Sequence, residues 1–71
     1  MVKQQPLLKE KKRIGAEIKK RRLEREFDRK DLASAVGVTV GMIGHIERGL
    51  YWPSMPVYIL ICRVLGMEEP K

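Results

Sequence analysis

The stretch that decides the fold is Asp31 to Gly49, DLASAVGVTVGMIGHIERG. Near its centre, Gly37 is placed to stop one helix in a left-handed backbone conformation, and Thr39 is placed to cap the next. The first of these helices is expected over about Arg29 to Val36, the second over about Val40 to Arg48, ending at Gly49. Leu32, Val36, Val38, Ile43 and Ile46 follow at spacings of four, two, five and three. These spacings turn all five inward when two short helices meet across one tight turn, and Ala33 supplies the small residue that a close crossing needs. The remaining residues of the second helix, Val40, Gly41, Met42, Gly44 and His45, are left as its outward layer.

Working outward, Phe27 is an apolar anchor, and Asp28 with Asp31 has the spacing of a capping box that sets two carboxylates at the positive end of a helix. Before it, Lys9 to Arg25, KEKKRIGAEIKKRRLER, places Ile14, Ile18 and the stem of Arg22 on one stripe, with Leu23 at its edge. This predicts a narrowly amphipathic, strongly basic helix. Residues 1–8, MVKQQPLL, carry no regular period and read as a flexible arm. After Gly49 a loop is expected, because Pro53 disfavours helix at Trp52. Ser54 then caps a fourth helix, with Pro56 tolerated in its first turn, and Gly66 stops it after about Leu65. The expectation is one all-α domain over residues 9–66, a compact four-helix bundle, followed by a short tail at residues 67–71.

In the fourth helix Met55, Tyr58, Ile61, Cys62 and Leu65 form a core stripe. Val57, Ile59, Leu60 and Val64 are left over, and a helix apolar on nearly all sides has to be covered by something. Either a second copy or the Leu7–Leu8 segment folding back would do so.

Seventy-one residues allow one small domain with a modest core, and 44% hydrophobic with 34% charged residues fits a packed chain. The net charge of +6 is uneven: residues 1–30 hold twelve Lys/Arg against five Asp/Glu, residues 31–71 three against four. A local excess of that size suits a polyanion, nucleic acid before membrane, because phosphate neutralisation releases counterions. A solvated basic helix face is the plain alternative. Cys62 has no partner for an internal disulfide and no base beside it, so it reads as a small buried hydrophobe rather than a nucleophile. No secretory pattern opens the sequence, and the apolar stretch Met55–Cys62 is far short of a membrane span, so a soluble cytoplasmic chain is expected. One His, one Cys and no clustered carboxylates point away from a metal site, a cofactor or an enzyme. The GxxG of Gly41–Gly44 has the spacing of an RNA clamp, but that clamp needs a mixed strand–helix context.

With these residues in hand, the sequence resembles the lambda repressor and Cro-like helix-turn-helix domains, the xenobiotic-response-element type. The resemblance runs from about Arg13 to Gly66 without a gap. It is carried by Ile14-Gly15 with Ile18, Asp31-Leu32-Ala33, Val36-Gly37-Val38-Thr39, Ile43, Ile46-Glu47-Arg48-Gly49, Pro53-Ser54 and Leu65-Gly66. It implies a bundle of four or five helices, with helix three entering the DNA major groove and helix two on the backbone. It also implies a partly buried salt bridge between Arg22 and Glu47 that holds the recognition helix. Arg29 stands where the family usually has a glutamine that binds phosphate and braces a base-reading side chain. An arginine keeps the phosphate contact but lacks the glutamine's acceptor. Lys30 beside it is a second phosphate candidate or a solvated lysine.

The family's base-facing positions fall on Thr39, Val40, Gly41, Met42, Gly44 and His45. Major-groove discrimination comes mostly from Arg, Lys, Asn and Gln, and none of these occurs on the helix before Arg48, which is itself counted among the candidate DNA contacts. Val40 and Met42 are left to touch thymine methyl groups, and the glycines to let the backbone lie close to the groove wall. Leu50, Tyr51 and Trp52 replace the basic or small polar residues common in the following loop. Tyr51 and Trp52 can donate to phosphate, while the three together also look like a protein contact, and Trp52 alone could pack on helix four. The family resemblance implies a homodimer, for which Val57, Leu60 and Val64 are the candidate contacts.

The function implied is a small DNA-binding transcriptional regulator, a dimeric repressor on a palindromic operator. The alternative keeps the fold but makes it a protein-interaction module, an antirepressor or regulator subunit, working through the apolar surface of helix three and its loop.

Overall fold

Each short helix begins and ends where its local chemistry dictates. A computed structural model describes residues 5–70, with the side chains of residues 5–8 left aside, and gives four helices and no strand among them. These are α1 (Gln5–Glu24), α2 (Arg29–Val36), α3 (Val40–Glu47) and α4 (Met55–Leu65). The Asp28 carboxylate accepts from the Asp31 backbone N–H at 2.8 Å, and the Asp31 carboxylate accepts from that of Asp28 at 3.0 Å. This completes the expected capping box and holds the Asp28 carboxyl below its usual pKa, chiefly through the Asp31 N–H. Thr39 Oγ1 accepts from Met42 N–H at 3.1 Å and Ser54 Oγ from Val57 N–H at 3.4 Å, which starts α3 and α4. Gly37 ends α2 at φ 77°, a backbone conformation that costs a side-chain-bearing residue dearly and lets the chain turn at once into α3.

The first helix is longer than its apolar stripe suggests. Its described part reaches back to Gln5, inside the segment expected to be an arm. Residues 1–4 of that arm, and the Leu7 and Leu8 side chains expected as one cover for α4, lie outside the described residues.

Ile18 of α1, Leu32, Ala33 and Val36 of α2, Ile43 and Ile46 of α3, and Ile61 and Leu65 of α4 form one buried core. Each large aliphatic side chain withdrawn from water contributes roughly 1.5–3 kcal/mol. Cys62 is fully buried, and burial pushes its thiol pKa up, as befits a small apolar residue rather than a nucleophile.

The fourth helix turns differently from the expected stripe. Met55 is 58% exposed, whereas Val57 and Val64 are partly buried against the core. The packed stripe is set by Ile61, Cys62 and Leu65, with Val57 and Val64 beside it; Leu60 falls on the opposite side, and Met55, at the first position of the helix, is exposed although it shares the side of Cys62. Of the three residues expected at a dimer contact, Leu60 alone is exposed.

The first helix and the residues just after it buttress α3 and the end of α4. A Cβ on Gly15 would lie 2.7 Å from the carbonyl oxygen of Glu47 and 2.9 Å from its carbonyl carbon, so α1 and the end of α3 touch backbone to backbone. At the end of α4, Arg25 Nε donates to Leu65 O at 3.2 Å and Arg21 Nη1 to Gly66 O at 3.5 Å. These arginines serve free carbonyls at the helix's negative pole. No helix among the described residues is long and apolar enough to cross a membrane.

Candidate nucleic-acid interface

The position of α3 is governed by one carboxylate. Glu47 has a side chain only 1% exposed, and three N–H groups meet it. Arg22 donates from Nε to Oε2 at 2.5 Å and from Nη2 to Oε1 at 3.1 Å, while its Nη1 donates to Phe27 O at 2.8 Å. The Arg22–Glu47 bridge expected from the sequence is therefore a two-bonded, buried pair. The third donor has no counterpart among the expectations: Arg29 Nε reaches Glu47 Oε1 at 3.0 Å. One residue from each of α1, α2 and α3 thus meets at a single point.

That arrangement changes the reading of Arg29. Its side chain remains 38% exposed, so its guanidinium is shared between the buried carboxylate and solvent rather than free for phosphate alone. Two guanidinium groups on one carboxylate leave one positive charge uncompensated beside the first turn of α2. Lys30, next along that turn, is exposed. The carboxylates of the Asp28–Asp31 capping box occupy this end of α2, so the attraction for an anion comes from the Arg29 and Lys30 side chains rather than from the helix N–H groups.

The outward face of α3 holds Thr39, Val40, Gly41, His45 and Arg48, all exposed. Two expected members of that face are not open to solvent. Met42 is half-buried and lines a groove of about 90 Å³ with Val38, Ile46, Tyr51, Pro53, Ser54 and Val57. Two turns of helix leave its side ambiguous from periodicity, and packing against the core, in the groove it shares with Val57 of α4, decides it. Gly44 is buried, because the Arg48 guanidinium lies over it, Nη1 3.4 Å from where a Cβ would stand. By contrast a Cβ on Gly41 would meet only Thr39 Oγ1, at 4.0 Å, so that lane is open.

The loop after α3 is apolar and outward. Leu50, Tyr51 and Trp52 are all exposed, with Leu50 at 61% and Trp52 at 42%. No cluster of metal-ligating side chains occurs among the described residues.

Taken as a surface, the first turn of α2, the outward face of α3 and the following loop run together. The end of α2 and the start of α3 are joined by the three-residue turn Gly37–Thr39. Arg29, Lys30 and Arg48 supply its charge, and Thr39 and His45 its other polar groups.

A helix-turn-helix family model matches residues 18–71, which includes α2, α3, α4 and the C-terminal part of α1. No curated protein and no solved structure matches the chain.

Proposed function

The chain belongs to the helix-turn-helix family of Cro/C1-type DNA-binding transcription regulators, not an enzyme family, and from that premise we propose that it acts as a dimeric repressor on a palindromic operator. The observation that supports this most directly is the placement of α3. Its inner face is clamped by Glu47 and by the contact with Gly15, while its outer face is left free of the rest of the fold. A helix held from behind and bare in front is what insertion into a major groove requires.

In this reading Arg29 and Lys30 hold phosphate at the start of α2, and Tyr51 and Trp52 donate to phosphate on the far side of α3. Thr39, Val40, Gly41 and His45 face the base edges, Val40 against a thymine methyl group. Dimerisation uses the outward side of α4, centred on exposed Leu60, which faces away from the core.

The test is a selection from random duplexes with the full chain, paired with a salt titration and a measurement of oligomeric state. A two-fold motif is expected, with affinity falling steeply as salt rises. Enrichment of no motif at any salt overturns the sequence-specific reading.

One further observation favours a second reading. The groove beside Met42 and Val57 is lined by Tyr51, whose sequence neighbours Leu50 and Trp52 are exposed, a surface suited to a protein partner. If a co-purifying partner stays bound to a variant carrying Met42→Glu and Trp52→Ala, that reading fails.

A further inference from the structure

The outward face of α3 lacks a residue that pairs with a base edge, unless one arrives from outside its ordinary place. We infer that Arg48 is that residue: its guanidinium folds back over Gly44 to read a guanine in the major groove. The inference rests on the DNA-binding reading of α3 and assigns the specificity-determining contact within it.

Three observations carry it. Arg48 is the C-cap of α3 with helical backbone angles, φ −85° and ψ 0°, so its side chain sets out toward the N-terminus of the helix as helical side chains do. One turn back stands Gly44, and Arg48 Nη1 lies 3.4 Å from the position a Cβ would occupy there. The guanidinium therefore sits about one turn closer to the start of α3 than its own Cα, over the middle of the helix's outward face. Second, the group is uncommitted. Arg22 and Arg29 are held by Glu47, Arg13 by Glu10, Arg21 by Glu17 and Arg63 by Glu69, but Arg48 makes no ion pair among the described residues. Third, nothing stands in front of it. Gly41 lies two turns before Arg48 on the same side of α3, with open space where its side chain would be. Two glycines thus clear a lane along the helix, with one arginine laid at its end.

The chemistry of that arrangement favours guanine. An arginine offers two parallel N–H groups in a rigid fork, and the major-groove edge of guanine offers two acceptors, O6 and N7, at matching spacing. No other exposed side chain on α3 can form such a pair. Gly44 then has a role beyond turn-making or close backbone approach: it is the seat that lets a side chain from the helix end reach the base-reading position.

The experiment is the random-duplex selection run on the full chain, on Arg48→Ala and on Gly44→Gln, with folding of each checked by circular dichroism. Arg48 is exposed and unpaired, so its removal leaves the fold intact. The parent is expected to enrich a guanine at one position of each half-site. Arg48→Ala should leave that position degenerate and the rest of the motif in place. Binding to the best site should fall about ten- to a hundred-fold, and binding to a duplex lacking that guanine should barely change. Gly44→Gln should push the guanidinium off its seat and lose the same guanine preference with Arg48 still present. If Arg48→Ala weakens every duplex by one factor and the motif is unchanged, Arg48 is a phosphate ligand and the inference is overturned. An unchanged motif for Gly44→Gln overturns the role of the glycine seat. If the parent enriches no motif at all, the DNA-reading function fails instead, a result distinct from either.

Discussion

The two faces of α3 are made from the same eight residues and held to opposite standards. On the inner face Ile43, Ile46 and Glu47 are buried, and α1 approaches so closely that Gly15 has no room for a Cβ. On the outer face Val40, Gly41 and His45 touch little, and Gly41 has open space before it. The inner face tolerates almost nothing because every atom has a neighbour, and the outer face tolerates much because its neighbours are not part of the chain. Fold and recognition are thus separated across the width of one helix.

The sharpest way to break that contrast is at Glu47. Replacing it with Gln removes the charge that meets Arg22 and Arg29, and Arg22 is itself buried. Stranding a buried guanidinium costs about 3–5 kcal/mol, a large share of the stability of a domain this size. Urea or thermal unfolding is expected to show Glu47→Gln largely unfolded or sharply destabilised. A loss under about 1 kcal/mol would mean the cluster is solvated and that α3 is held by its apolar residues alone.

Gly15→Ala is the next largest. The new methyl group would stand 2.7 Å from Glu47 O and 2.9 Å from its carbonyl carbon, backbone atoms that move only with the helix. Overpacking of this kind costs roughly 1–3 kcal/mol. It also pushes α3 outward as a unit, so DNA affinity should fall with stability. Equal stability in the variant and the parent would show that α1 and α3 slide past each other freely.

Much of the inner face is legible in the sequence. The caps at Asp28, Thr39 and Ser54, the stops at Gly37 and Gly66, the core residues and the Arg22–Glu47 pair all stand where their spacing or the family resemblance puts them. Such features are local, or are fixed by several residues that agree. Three others are not legible. Arg29 meets Glu47 eighteen residues away, and no spacing announces that one carboxylate will serve two arginines. Gly15 stands out in the sequence, but a glycine does not reveal what presses against it. The family resemblance puts base-facing positions at Met42 and Gly44, which would turn both outward. Instead Met42 turns into the groove it lines with Val57, and Gly44 is outward but covered by Arg48. The outer face is the less legible one, since its residues answer to a partner rather than to each other.

Gly41→Ala probes the outer face with the opposite sign. Its φ is not in the left-handed region and a Cβ there meets only Thr39 Oγ1, at 4.0 Å. With no clash to offset it, alanine's better helix propensity should stabilise the chain by about 0.5–1 kcal/mol. The thermal unfolding midpoint should therefore rise while affinity for the selected duplex falls, because the methyl group enters the lane in front of Arg48. If stability and affinity rise together, the glycine serves neither approach nor clearance, and the outer face is not the one that meets DNA.

The smallest effect belongs to the cap that starts α2, and its sign can be worked out. Asp28 has a carboxyl pKa below the usual 3.8, because the Asp31 N–H donates to its charged form in the folded chain. The contribution is present in full above the unfolded value. It is lost as pH falls through 3.8 toward the folded value, and below both no difference remains. Asparagine at this position can still accept from the same N–H, but it does not titrate. The unfolding midpoint of the parent should therefore fall more steeply than that of Asp28→Asn on acidification below about pH 4. Both proteins share every other carboxylate, Glu17 with its pKa lowered by Arg21 included, so subtracting one curve from the other isolates the cap. Parallel curves would mean that the turn before α2 is held by Phe27 and the Arg29–Glu47 link, and that its capping carboxylate only follows.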